Sequence, residues 1–289
     1  MQKITPFLWF NNNVAEATDF YIAAFKNAAI VEKRDIGGGQ IQSATISIGG
    51  SEIILFDGGP MFTFNPSISF FVNRNLPEEI DQLWSVFSEG GKVLMPLNKY
   101  PFSEKYGWLQ DKFGVSWQFN LAAGDENVAP FLLFVNDQQH GKAEEAIDFY
   151  TSLFQHSSVV GKTYYAVGQG GEEGTIKHGI FKLDGLAFKT TDSSMPYAFA
   201  FNPAFSLFVN CQTQEEVDHF WNGFLDNGGT KSSCGWLQDK FGVSWQIVPE
   251  ALGRLMNDRD RAKSKRVLDA MLKMDKIDIS ALQRAYDGK

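Results

Sequence analysis

The chain has 289 residues, 44% of them hydrophobic and 26 of them phenylalanine, and a formal net charge of −8. That length suits two domains rather than one, the apolar share excludes global disorder, and the acidic balance argues against a nucleic-acid or anionic-membrane surface. The two cysteines, Cys211 and Cys234, are too few for a disulfide scaffold, and neither a signal-peptide core nor an apolar run of ~20 residues occurs, so a soluble cytoplasmic protein is expected.

In chain order, PFLWFNN reads as a strand ending in turn formers, and VAEATDFYIAAF as a helix with Val14, Ala17, Phe20, Tyr21, Ala24 and Phe25 at helical spacing. IVEKRDI, QIQSATISIGG and SEIILFDGG follow as strands parted by glycine-rich turns; the triple glycine of RDIGGGQI reads as a hairpin loop, since no helix pattern follows it. SISFFVN then reads as a strand, EEIDQLWSVFSEGG as a glycine-capped helix, and KVLMPL, YGWLQDKFG and VSWQFNL as strands. The pattern is β-α-β-β-β, twice.

All of it then returns. GWLQDKFGVSWQ occurs letter for letter at 107–118 and 235–246; FNPSISFFVN returns as FNPAFSLFVN, DFYIAAF as DFYTSLF, and PFLWF as PFLLF, in the same order. Two copies of ~120 residues are a domain duplication, since a solenoid needs three or more small units. Domains are expected at 1–124 and 125–250, with a helical extension at 251–289. The stretch 92–106 is longer than its counterpart 230–234, so the two copies differ near one cavity mouth.

This arrangement, the FY of the first helix and the DKFGVxWQ block resemble the vicinal-oxygen-chelate superfamily, and within it the PhnB-like branch of glyoxalase, bleomycin-resistance and dioxygenase relatives. The C-terminal KSKRVLDAMLKMDKIDISALQRAYDGK resembles the extension of that branch. The resemblance implies an α+β fold of two tandem domains, each a pair of βαβββ modules forming a curved mixed sheet around a cavity, plus a helical tail. It also implies that the copies pair as an intrachain pseudo-dimer, with a homodimer as a further alternative.

Active members of the superfamily hold a divalent metal between the first and last strands of a module. The matching first-strand positions here are Thr5 or Pro6 and Ala129 or Pro130, and the last-strand position, Glu in metal-binding relatives, is Gln118 and Gln246. The usual ligand set is therefore missing, and no cofactor is expected. None of His140, His156, His178 and His219 has ligand spacing: the first reads as solvated, the second as following a helix end, the third as a core or cavity residue and the fourth as surface. The alternative is a divalent-metal lyase or dioxygenase using Gln118 or Gln246 with further ligands. PhnB-like proteins often carry a ubiquinone-pathway methyltransferase label; the glycine loop that S-adenosylmethionine calls for is absent from the sequence, which disfavours it.

Alternation in the last strand puts Val115 and Trp117 on one face and Ser116 and Gln118 on the other, with Ser244 and Gln246 matching them. Phe7 and Trp9, and in the second copy Phe131 and Leu133, are expected to line the cavity beside these polar groups. Such a lining suits an unidentified apolar or aromatic small molecule. The Asp-Lys-Phe-Gly segment reads as a turn closed by glycine. In the tail, Val267, Leu268, Met271, Leu272 and Met274 form an apolar stripe, and Asp278 or Ser280 can cap a second helix. The tail holds ten Lys or Arg against six Asp or Glu from residue 254 onward, and packing on its own domain or on a partner are both open.

Overall fold

A computed structural model describes residues 2–35, 41–124 and 126–289, with backbone alone for 137 and 138. The triple-glycine loop expected at 37–39 lies outside the described residues.

Four βαβββ modules follow one another. The first is β1 (Ile4–Phe10), α1 (Val14–Ala24), β2 (Ala29–Asp35), β3 (Ile41–Ile48) and β4 (Ser51–Asp57). The second is β5 (Ile68–Arg74), α2 (Pro77–Ser88), β6 (Lys92–Tyr100), β7 (Ser103–Gln110) and β8 (Ser116–Leu121). The third is β9 (Asn127–Phe134), the single turn α3 (Asn136–Gln139), α4 (Ala143–Leu153), β10 (Ser157–Tyr164), β11 (Ile176–Leu183) and β12 (Leu186–Asp192). The fourth is β13 (Phe205–Cys211), α5 (Gln214–Leu225), β14 (Thr230–Lys231), β15 (Trp236–Gln238) and β16 (Ser244–Pro249); the tail forms α6 (Glu250–Met256), α7 (Arg261–Met271) and α8 (Ile279–Asp287). The fold is α+β, as the sequence implies. DKFG belongs to no strand, KVLMPL continues to Tyr100, and α6 was not foreseen.

The chain divides into two compact units, residues 6–205 and residues 1–5 with 206–289. In the larger unit the first module's strands run in the order β1-β4-β3-β2, and a mixed eight-stranded sheet runs β10-β11-β12-β9-β5-β8-β7-β6. Its centre is the antiparallel seam of β5 and β9, in register from Ile68↔Leu132 to Asn73↔Asn127. The boundary expected at 124/125 lies between β8 and β9, both strands of this sheet, which joins the second module of the first repeat to the first module of the second.

Helices cover one face of that sheet. A Cβ on Gly107 would meet the Trp84 ring of α2 at 2.3 Å, and one on Gly179 would meet Ile147 of α4 at 2.7 Å, so these strand positions are small where helices lie close. Trp117, fully buried, packs against Phe70 and against Phe87 of α2, with ring centroids 4.8 and 5.0 Å away, and Tyr21 of α1 lies 5.3 Å from it.

In the smaller unit the order is β14-β15-β16-β13. Its outer hairpin is cut to strands of two and three residues, against nine and eight in β6 and β7. The tail takes up the vacated edge. The Cys234 and Gly235 N–H groups donate to the carbonyls of Met274 and Asp275, both at 2.7 Å, and Lys231 pairs with Asp275 at 2.7 Å. Leu252, Leu255, Val267, Ile277 and Leu282 form a core with Val248, Met271 and Met274 packed on it. The tail thus packs on its own unit, but Leu268 and Leu272 are exposed and leave the buried stripe narrower than the sequence suggests. Asp278, not Ser280, caps α8.

Candidate ligand-binding site

The repeated DKFGVSWQ block builds a turn around one carboxylate. Asp111 Oδ1 accepts from the N–H groups of Phe113 and Val115 at 2.9 and 3.0 Å, and Oδ2 accepts from Trp117 Nε1 at 2.9 Å and the Tyr21 hydroxyl at 2.7 Å. Gly114 sits at φ +88, which a side chain would strain. The same pattern holds for Asp239 with Phe241, Val243 and Trp245, and for Gly242 at φ +93. Burial pushes the Asp111 carboxyl up to about 6 despite its four donors. This fixes Trp117 toward the helices, and the pleat then turns Ser116 and Gln118 to the helix-free face.

There Gln118 spends both ends of its amide on the protein. Its Oε1 accepts from the Tyr106 hydroxyl at 2.7 Å and its Nε2 donates to Ser69 Oγ at 2.7 Å, while Trp108 Nε1 donates to Ser116 Oγ at 2.8 Å. Around these bonds Tyr106, Trp108, Phe131 and Leu133 form a buried cluster flanked by Phe71, Tyr100, Tyr197 and Phe199. Phe71 and Phe131 stack at 5.9 Å with rings 21° apart.

One charge enters this surface. Lys189 on β12 stands in register with Phe131 and carries its Nζ 3.6 Å from the Phe71 ring centroid. It is half-buried and, among the described residues, has no carboxylate partner; burial alone lowers its ammonium to about 8. His178 lies at the rim, 6.5 Å from Phe102. Partial burial first, then the Lys177 and Lys189 charges, hold its imidazole below the ordinary value.

Of the residues singled out from sequence, Ser116, Gln118, Phe131 and Leu133 meet on this face, although they come from different repeats. Phe7 and Trp9 lie on β1, which is not a strand of this sheet. Phe7 is buried against Phe56 at 5.4 Å, and Trp9 lies over Gly58 with its Nε1 donating to the Gly59 carbonyl at 2.9 Å. Ser244 and Gln246 lie buried on β16 of the smaller unit, where Gln246 Nε2 donates to Ser206 Oγ at 2.9 Å. Sequence reasoning missed Ser69, Tyr106 and Lys189. Ser69 and Ser206 share a place in the repeated FNP block, which was a usable signal; Lys189 offered none.

His140, expected to be solvated, is instead partly buried and 3.0 Å from Glu172. His156 is exposed beyond α4 and pairs with Asp184 at 3.1 Å. Among the described residues no three His, Cys, Asp or Glu side chains converge. The donors at Gln118 are neutral and already bonded to one another, so this set does not fit a divalent cation.

A separate cleft of about 300 Å³ opens between the end of α1 and α2, lined by Lys26, Arg74 and Glu79. Its charges already satisfy each other: Glu79 lies 2.7 Å from Lys26 and 3.9 Å from Arg74, and the Arg74 guanidinium covers the Phe25 ring. It makes the weaker candidate.

Residues 2–120 and 126–248 match the family model described as 3-demethylubiquinone-9 3-methyltransferase. A solved chain described as a putative 3-demethylubiquinone-9 3-methyltransferase, PhnB protein, from Bacillus cereus is 40% identical over 42% of this chain and 100% of its own, with a TM-score of 0.40. Glyoxalase I from Zea mays is 11% identical over 84% of this chain and 92% of its own, with a TM-score of 0.57, a likeness of fold. No curated protein matches the chain. No helix among the described residues is long and apolar enough to cross a membrane.

Proposed function

We infer that this chain, which belongs to the 3-demethylubiquinone-9 3-methyltransferase family and has its PhnB-like, glyoxalase-type fold, binds a small molecule with an aromatic body on the helix-free face of its eight-stranded sheet, without a resident metal. The observation that carries this is the closed Tyr106–Gln118–Ser69 chain of hydrogen bonds set among aromatic walls. It holds the polar groups neutral and fixed, while the partly exposed rings of Phe71, Tyr100, Tyr197 and Phe199 at its flank offer flat apolar area. Methyl transfer finds no support in the strand-to-helix turns FNNNV and FVNDQQHGKA, which lack a glycine-rich cradle.

Calorimetry with a neutral flat probe, 2-naphthamide, tests the reading. Saturable binding that Phe131→Ala weakens by about 5–10-fold is expected; no binding, or binding that ignores Phe131, would count against this face. Elemental mass spectrometry on protein purified without chelator tests the metal-free half. About one equivalent of Mn, Fe, Ni or Zn, removed by Gln118→Ala, would restore the metal-enzyme alternative.

A further inference from the structure

Lys189 carries a charge on this face that has no counter-charge among the described residues. Its Nζ rests on the Phe71 ring at 3.6 Å, half-buried, and among the described residues no carboxylate, phenolate or carbonyl is bound to it. An ammonium drawn out of water without a counter-charge is unfavourable. Lys162, by contrast, has the carboxylates of Glu144 and Asp148 at 3.1 and 2.6 Å.

The fold does not require the charge. Lys189 pairs with Phe131 on the parallel strand β9, just as Ile54 of the first repeat pairs with Phe7 on β1. The same register therefore accepts an aliphatic side chain in the same molecule. An isoleucine would cost no desolvation, yet this copy holds a lysine.

We propose that Lys189 makes this face selective for a planar aromatic carboxylic acid, its carboxylate on the Lys189 ammonium and its ring system against Phe71 and Phe131. The inference rests on the binding reading above and names the ligand class for that site. A single point charge, without a second cation forked beside it, suits a monoanion better than a phosphate, which takes several donors at once. His178 and Lys182, on the neighbouring strand β11, add no negative charge that would compete. The Tyr106 hydroxyl already donates to Gln118 and is not free to meet the acid.

The test compares 2-naphthoate with 2-naphthamide, equal in shape and different in charge, on the full chain by calorimetry at neutral pH. The acid should bind about 10-fold tighter or more. In Lys189→Met the two probes should bind alike, and in Lys189→Arg the preference should persist; far-UV circular dichroism checks that both variants fold. Equal affinities in the unaltered protein, or a preference that survives Lys189→Met, would overturn the acid assignment while leaving aromatic binding in place. If neither probe binds, both readings fall together.

Discussion

Asp111 shows how one side chain can govern a site it never touches. Its carboxylate gathers two turn amides, an indole and a phenol, and through Trp117 it sets which way Gln118 faces. Asp111→Ala leaves four donors unmet, three of them buried, and should destabilise the protein by about 3–5 kcal/mol in denaturant unfolding. Because burial raises its folded pKa above the unfolded value, the native state binds this proton more readily. Its contribution is greatest at acid pH, below about 4, and is lost as pH rises through about 6. A carbon-13 NMR titration of the Asp111 carboxyl should find its midpoint near 6; a midpoint at the ordinary carboxylate value would contradict the burial argument. Lys189 runs the other way. Around it are Phe71 and Phe131, Ile180 opposite it on β11 and the nearby His178, with no carboxylate among the described residues. Naphthoate affinity should therefore fall as pH rises through about 8, while naphthamide affinity stays level. Asp111 and Gly114 were legible in sequence as a turn, but the bonds to Trp117 and Tyr21 were not, since Tyr21 lies 90 residues away.

The outer hairpins of the second and fourth modules solve one problem in two ways. An open sheet edge must be covered, and β6 with β7 does this by length, whereas the short β14 and β15 use the backbone of residues 274 and 275. Cys234 reports on that cover: its thiol donates to the Met271 carbonyl at 3.7 Å and burial raises its pKa, while Cys211 is fully buried with its thiol pushed up to about 12. Removing residues 257–289 should speed the reaction of Cys234 with an aromatic disulfide reagent about 10-fold or more. An unchanged rate would mean the tail is not what shields it. Strands, helices and the amphipathic tail were readable because apolar spacing encodes which face is buried. The same code is silent on lateral neighbours. Period two in PFLLF and SISFFVN says that each strand is half-buried, and nothing in it says that β5 lies beside β9.

That seam decides how the molecule is built. Gln118 and Phe71 come from the first repeat and Phe131 and Lys189 from the second, on one continuous sheet. Fragments 1–124 and 125–289 made separately should each fail to show acid-selective probe binding, and made together they should regain it. Selective binding by either fragment alone would show that a repeat suffices. Duplication ordinarily frees one copy to drift while the other keeps its task. Here a lysine carried by the second copy shapes a surface half owned by the first, so the two halves are bound to a shared inheritance and neither can become a spare.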